Sequence, residues 1–314
     1  QRRATTGTGD AQSNGAMALY ALQRDIRQAG YGFNAVNVLG CPLALTAHTL
    51  EQFAPVVINP PDVAVGSNAN AFSDILLVAY GNNEGPPEGD AITALVGTKI
   101  AVRTAANYHD GQQVIAAPPA NETTPDCPLT LAKIVGEPSP NITVTPTIAA
   151  TDSDTLFNLG ANPKILAFAV RADNLTVCDY MTKDCSDISK VADQTVWVPI
   201  ANNIVSLRAQ YRNGTGVWNQ ATPDPATPTA KARACLWRGI QGLRLAVVAR
   251  NSQVDRDPLK VNEDENGGDR PPLWAGSADA PIDLTARSNW KNYRYKVFET
   301  VVPLRNLPWM SACP

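Results

Sequence analysis

Residues able to hold a metal gather in one acidic stretch of the 314-residue chain, 255–269. There Asn262, Asp264, Asn266 and Gly267 follow the alternating spacing of the first half of an EF-hand loop. Calcium takes roughly six to eight oxygen ligands from closely spaced groups. Leu273 stands where the bidentate glutamate should be. Asp264, Asn266 and Asp269 are therefore the calcium candidates, set against a plain solvated acidic loop. The chain has two histidines, His48 and His109, and a Ser-His-Asp arrangement would have to use one of them. His48 lies in an apolar context at 45–50 and reads as a partly buried packing residue. His109 precedes Asp110-Gly111 and reads as a turn residue. The common hydrolase, nucleotide-binding and metalloprotease motifs are missing, so no catalytic residue is assigned and no enzyme is expected. No cofactor is expected beyond the calcium candidate.

Six cysteines, Cys41, Cys127, Cys178, Cys185, Cys235 and Cys313, are dispersed along the chain. An even set without a Cys-x-x-Cys pair fits disulfides in an oxidising compartment better than zinc. Only Cys178 and Cys185 can be paired from the sequence, because a short turn-forming loop joins them. Four N-x-[ST] sequons begin at Asn121, Asn141, Asn174 and Asn213 and are treated as coincidental. The six tryptophans lie in the second half, where core and interface packing is their usual role and a sugar groove the rarer one.

A net charge of −3 with no basic cluster argues against nucleic acid as a partner. No apolar run approaches the roughly 18 to 20 residues that cross a bilayer. The 25 prolines and 21 glycines, with only 18% charged residues, imply many turns and long ordered loops around a β-rich head.

From Ser13, read as an N-cap, Leu19, Leu22, Ile26 and Ala29 recur at intervals of three and four and share one helical face. Gly30 and Gly32 end that helix. Short extended runs come next, predicted at 75–80, 99–103, 165–171, 175–180, 195–198, 204–211, 240–250 and 293–302, with a hairpin turn at Ala172-Asp173-Asn174. Leu243, Leu245, Val247 and Ala249 alternate with Arg244 and Arg250, the pattern of a sheet with one buried face. Segments 81–90, 118–128, 137–146, 219–229 and 255–272 read as loops.

The helix end Arg24-Asp25-Ile26-Arg27-Gln28-Ala29-Gly30-Tyr31 resembles the exit of the first helix of the PilW family of type IV pilus minor pilins. The strands at 239–252 and 203–211 are similar to strands of that family, and Tyr293 to Leu307, with its Leu-Arg-Asn ending, is the nearest match. The resemblance implies an α+β, pilin-like fold: a long N-terminal amphipathic helix (1–32) packed through Leu19, Leu22, Ile26 and Ala29 on an antiparallel β-sheet, with a β-rich head (33–314) of long disulfide-stapled loops. A family member begins with an apolar half-helix, so one is expected to precede Gln1, anchoring the subunit in the inner membrane and removed here to keep the head in solution.

In functional terms the resemblance implies a structural subunit. It implies a tip or priming complex that initiates pilus assembly, with other minor pilins, the major pilin and a PilY-type adhesin as partners, and a role in twitching motility and adhesion. The same resemblance places the subunit at the periplasmic face of the inner membrane before assembly and at the extracellular pilus tip after it. The alternatives are a J-type pseudopilin of type II secretion and a secreted carbohydrate-binding module. The pairing of Cys41, Cys127, Cys235 and Cys313 and the role of 50–161 stay open.

Overall fold

The computed structural model describes residues 2–46, 48–64, 73–82, 85–86, 88–119, 126–138, 141–224, 226–263, 265 and 268–307, with side chains from residue 9 onward. Two α-helices are present among them, α1 (Arg2–Gln28) and α2 (Ala230–Arg238). The first ten strands are β1 (Cys41–Ala44), β2 (Thr49–Phe53), β3 (Val56–Ile58), β4 (Leu76–Tyr80), β5 (Asp90–Val96), β6 (Lys99–Val102), β7 (Gln113–Ala117), β8 (Leu129–Ile134), β9 (Ile142–Thr145) and β10 (Thr155–Gly160). After them come β11 (Lys164–Arg171), β12 (Asn174–Asp179), β13 (Val198–Asn202), β14 (Ile204–Asn213), β15 (Trp218–Asn219), β16 (Ile240–Arg250) and β17 (Tyr295–Pro303).

These strands form three sheets, ordered β15-β14-β16-β17, β13-β12-β11-β4-β3 and β2-β1-β8-β7-β10-β5-β6-β9. In the third, β9 pairs back onto β8, closing six strands into a barrel. Ile92, Ile100, Val114, Ala132, Ile134, Ile142, Val144 and Leu156 fill that barrel as a core of their own. β1 joins it through a parallel pairing with β8, and the Cys41–Cys127 disulfide links the same two regions.

The fold-class expectation is thereby corrected. Among the described residues the chain is mostly β, with two α-helices and a six-stranded barrel, and is not an α+β pilin-like fold of one long amphipathic helix on a single antiparallel sheet with the remainder in stapled loops. The physical reason lies in residues 90–160. Their glycines and prolines punctuate strands of four to seven residues, too short to announce themselves, and closure satisfies the edges that would otherwise stay unpaired. Segment 137–146 shows this, for it contains β9.

Smaller expectations shift as well. α1 runs from Arg2, so Ser13 lies inside it and caps nothing. Residues 195–197 turn, and the strand starts at Val198. The second face of β16 is not open: Ala246 and Val248 pack with Val205, Trp274, Ala280, Ile282, Leu284 and Trp290. The polar alternation therefore misled, because the segment around 274–290 covers what would have been the wet side. α2 was not expected; Thr229 caps it by accepting from the Ala232 amide at 3.0 Å. Among the described residues no helix is long and apolar enough to cross a membrane.

Two of the three sheets are tied by one carboxylate. Asp74, just before β4, accepts from Arg208 Nη1 at 3.1 Å, Asn59 Nδ2 at 3.0 Å, the Ala209 amide at 2.9 Å and Gln220 Nε2 at 2.6 Å. It thereby joins the five-stranded sheet to β14. Burial raises its pKa, and the Arg208 charge and these donors oppose that rise. Removing one partner of a buried pair strands the other charge, so Asp74→Ala should destabilise the fold by about 3–5 kcal/mol in urea unfolding. A loss below about 1 kcal/mol would show the hub to be dispensable.

Candidate assembly surface

α1 has two unlike sides. On the inner one Ala11, Ala18, Leu22, Ile26 and Ala29 are buried and Leu19 is half-buried, in one cluster with Leu243, Leu245, Val247 and Ala249 of β16 and Val302 of β17. Gly15 sits on the same side, and a Cβ there would lie 2.1 Å from Phe298 Cε2, inside the ring. Only glycine lets helix and strand approach so closely. Polar contacts fasten the seam: Gln23 Nε2 donates to Thr300 Oγ1, and Lys296 Nζ to Gln12 Oε1 at 3.1 Å.

At the helix exit the two ends of the chain meet. Asn306 Nδ2 donates to the carbonyls of Gln28 and Ala29 at 3.3 and 3.2 Å, satisfying acceptors that a helix C-terminus leaves unpaired. Gly30, at φ +83°, turns the chain there, with its amide donating to the Ala79 carbonyl at 2.9 Å. A Cβ on Gly30 would lie 2.5 Å from the Asn306 carbonyl oxygen. The Ala-Gly-Tyr exit and the Leu-Arg-Asn ending are thus one contact.

Asp25 is buried within α1. It accepts from Arg24 Nε at 3.0 Å and Nη2 at 3.1 Å and from the Tyr80 hydroxyl at 3.0 Å. The hydrogen bond to Asp25 raises the Arg24 pKa, while burial and then the Asp25 charge push the Tyr80 hydroxyl up. These groups border a groove of about 460 Å³ between α1 and the five-stranded sheet, with Lys164, Asp179 and Val198 on its other wall.

The outer side of α1 carries Met17, Tyr20, Arg24 and Arg27, spaced three and four apart and all exposed, Met17 by 54% and Tyr20 by 67%, and Tyr31, also exposed, follows just past the helix end. Tyrosine, methionine and arginine are the types enriched in protein interfaces. The heptad-like spacing was present in the sequence, masked there by the stronger signal of the buried stripe.

The remaining candidate residues lie elsewhere. Cys178 and Cys185 are bonded, with Cα atoms 5.9 Å apart, Cys41 is bonded to Cys127, and Cys235 is disulfide-bonded. Cys313 lies outside the described residues, as do Asp264 and Asn266 of the calcium candidate. Asp269 faces Lys291 Nζ at 2.9 Å, an ion pair that competes for its oxygens. Trp197, Trp237, Trp274 and Trp290 are buried and Trp218 is half-buried, so these indoles line no open sugar groove. Trp309 falls outside the described residues.

His109 is exposed beside Glu137, with Nδ1 3.5 Å from Oε2. His48 has company that the sequence did not reveal: Ser186 Oγ lies 3.1 Å from Nδ1, Asp62 Oδ1 lies 3.8 Å from Nε2, and the Tyr180 ring stacks on the imidazole. Asp62 is beyond hydrogen-bond reach, and the Ser186 hydroxyl also donates to Asp184. The chain of hydrogen bonds from acid through imidazole to hydroxyl is therefore broken at the acid. Burial raises the Asp62 pKa, which favours its neutral form in the folded protein.

Two outcomes test these contacts. Gly15→Ala should destabilise the protein by about 1–3 kcal/mol in urea unfolding, yet stabilise it by roughly 0.5–1 kcal/mol when Phe298→Ala has removed the ring, because only helix propensity then remains. The same sign in both backgrounds would disprove the close approach. For Asp62, a raised folded pKa means the native state binds more protons than the unfolded chain, so this group's contribution falls as pH climbs from the ordinary aspartate range through the raised value. Asp62→Asn should flatten that part of the stability profile; an unchanged slope would refute the assignment.

Comparison with known proteins bears on the sheet that carries α1. Residues 170–306 match the family model of Type IV Pilus-assembly protein W, PilW. That span includes β12 to β17 and Asn306. Among solved structures, the chain is similar to a type IV-like pilin from Thermus thermophilus, at 10% identity and a TM-score of 0.39, over 94% of this chain and 97% of that one. No curated protein matches it. The resemblance to PilW read from the sequence holds across residues 170–306.

Proposed function

We propose that the protein is a structural minor pilin, acting through surfaces and catalysing no reaction, in a tip complex that primes pilus assembly and supports a PilY-type adhesin. The observation that carries this reading is the outward row Met17, Tyr20, Arg24 and Arg27, with Tyr31 just past the helix end, held on the sheet whose sequence matches PilW. Two tyrosines and a methionine supply apolar contact at low entropic cost, and the two arginines supply hydrogen-bond donors and charge.

In this reading residues 1–32 form the arm and 33–314 the head. The arm faces another minor pilin or the major pilin, and a half-helix preceding Gln1 would hold the subunit in the inner membrane before assembly. The head then stands at the periplasmic face, and at the pilus tip once the filament has grown. Disulfides suit both places, since both are oxidising. Nucleic acid has no part in it.

The test is complementation of a deletion strain. Met17→Glu with Tyr20→Ala alters only exposed side chains, so the purified head should keep its melting temperature while surface pili and twitching fall to the level of the deletion strain. Full piliation by the double variant, or normal pili in the deletion strain itself, would overturn the reading.

A further inference from the structure

β17 (Tyr295–Pro303) is the last strand of its sheet and pairs only with β16, through nine residue pairs without a bulge. The ends of that ladder fix its hydrogen-bond parity. The Leu304 amide donates to the Gln241 carbonyl at 3.0 Å, and the Asn251 amide to the Arg294 carbonyl at 3.0 Å. Both bonds continue the register of the nine pairs, so even-numbered residues of β17 turn their backbone groups toward β16 and odd-numbered ones turn theirs away. The outward amides are those of Tyr295, Val297, Glu299 and Val301, and among the described residues they meet no hydrogen-bond acceptor.

The same edge is closed just before that point. Asn262 Nδ2 donates to the carbonyls of Lys291 and Tyr293 at 2.9 and 2.8 Å, taking the place that a further strand would occupy. From Tyr295 onward the edge is open. Natural sheet edges are commonly kept short, bulged, interrupted by proline or guarded by charge. β3 is three residues long and buried, β15 has two residues, and β13 carries Pro199 and a register shift in its pairing with β12. β17 has no such device before Pro303. Its two charged side chains are engaged within the chain, Lys296 Nζ with Gln12 Oε1 and Glu299 Oε2 with the Ala275 amide at 3.0 Å.

A groove of about 490 Å³ adjoins the start of the open edge, lined by Val261, Arg270, Pro272, Leu273, Arg294 and Tyr295. Val261 and Leu273 are 65% and 72% exposed. Among the described residues the lining holds two arginines and no acid. Arg294 Nε lies 3.6 Å from Asp255, and no described carboxylate comes within ion-pair range of Arg270.

We propose that the open edge of β17 receives an extended segment of another polypeptide, which adds a strand to the four-stranded sheet and brings an acidic side chain to Arg270 and Arg294. Backbone donors and acceptors repeating along a strand are matched by a second extended backbone. The antiparallel direction continues that of β16 and β17, and it leads the C-terminal end of the segment into the groove at Tyr295. Cross-strand pairing then sets the side chains: an acid for the arginines, a base opposite Glu299, and apolar residues opposite Val297 and Val301. This edge is distinct from the outer row of α1, so either surface can be lost without the other.

The peptide acetyl-Val-Thr-Lys-Thr-Val-Thr-Asp-amide places those side chains in antiparallel register from Val301 to Tyr295. Amide exchange and nitrogen–proton correlation spectra of the labelled protein read the edge by parity. In the free protein the amides of Tyr295, Val297, Glu299 and Val301 should exchange fast, and those of Lys296, Phe298, Thr300 and Val302 slowly. The peptide should shift and protect the four fast amides along one saturating curve, with a Kd below about 1 mM. N-methylation of its lysine and second valine, whose N–H groups face β17, should weaken binding at least about tenfold. N-methylation of its first two threonines, which face away, should change it less than about twofold. Arg270→Glu should weaken binding about threefold. The proposal is overturned if the odd-numbered amides are already protected in the free protein, by its own chain or by a second copy in a dimer. It is equally overturned if the peptide gives no saturable shift up to about 5 mM, if the two methylated peptides bind alike, or if Arg270→Glu leaves the affinity unchanged.

Discussion

Close approach of α1 to β17 at Gly15 and Phe298 is the constraint on which the architecture turns. The apolar stripe of the helix has to leave water, and the surface that covers it is completed only when the last strand pairs with β16. Gly15 sets the depth of that seam, and Asn306 sets its end by satisfying the final helical carbonyls. With the inner side so fixed, the outer row of Met17, Tyr20, Arg24 and Arg27 is presented in one orientation. The binding face is thus a by-product of the packing face, rotated about half a turn around one helix.

Buried charge organises the rest. Asp74 gathers donors from three segments and joins two sheets, and Asp173, in the β11–β12 turn, meets both Arg250 and Arg287. Each such acid sits at a strand end or tight turn, where backbone amides and guanidinium groups can converge without breaking a ladder. Arg171 lies one residue from that turn and differs in meeting no acid among the described residues. The Trp197 ring lies against its guanidinium instead, 3.8 Å from the centroid.

Legibility in the sequence tracked burial and length. β16 is eleven residues long and apolar along one face, and its limits at Ile240 and Arg250 were readable. The β11–β12 hairpin was readable too, because Ala172 and Asp173 both take positive φ and the local sequence favours such a turn. The barrel was hidden, since its strands are short, its partners are distant in sequence, and a closed ring leaves no local signature. The second covered face of β16 was hidden for a related reason: Ala246 and Val248 are screened by Trp274 and Trp290, whose own segment looks like loop. At the candidate surface, Leu22, Ile26 and Ala29 declare themselves by periodicity. The outward amides of β17 could not, because whether a polar group has a partner depends on what folds around it.

Asn306 and Gln28 are separated by 278 positions along the chain, yet they touch. A nascent polypeptide emerges in order, so α1 must wait for β17, more than 250 residues later, before its greasy side is fully covered. Until then those leucines and isoleucines remain open to chaperones, to a lipid surface or to each other. Biosynthesis therefore passes through an interval in which α1 is sticky, and that interval closes only when β17 docks.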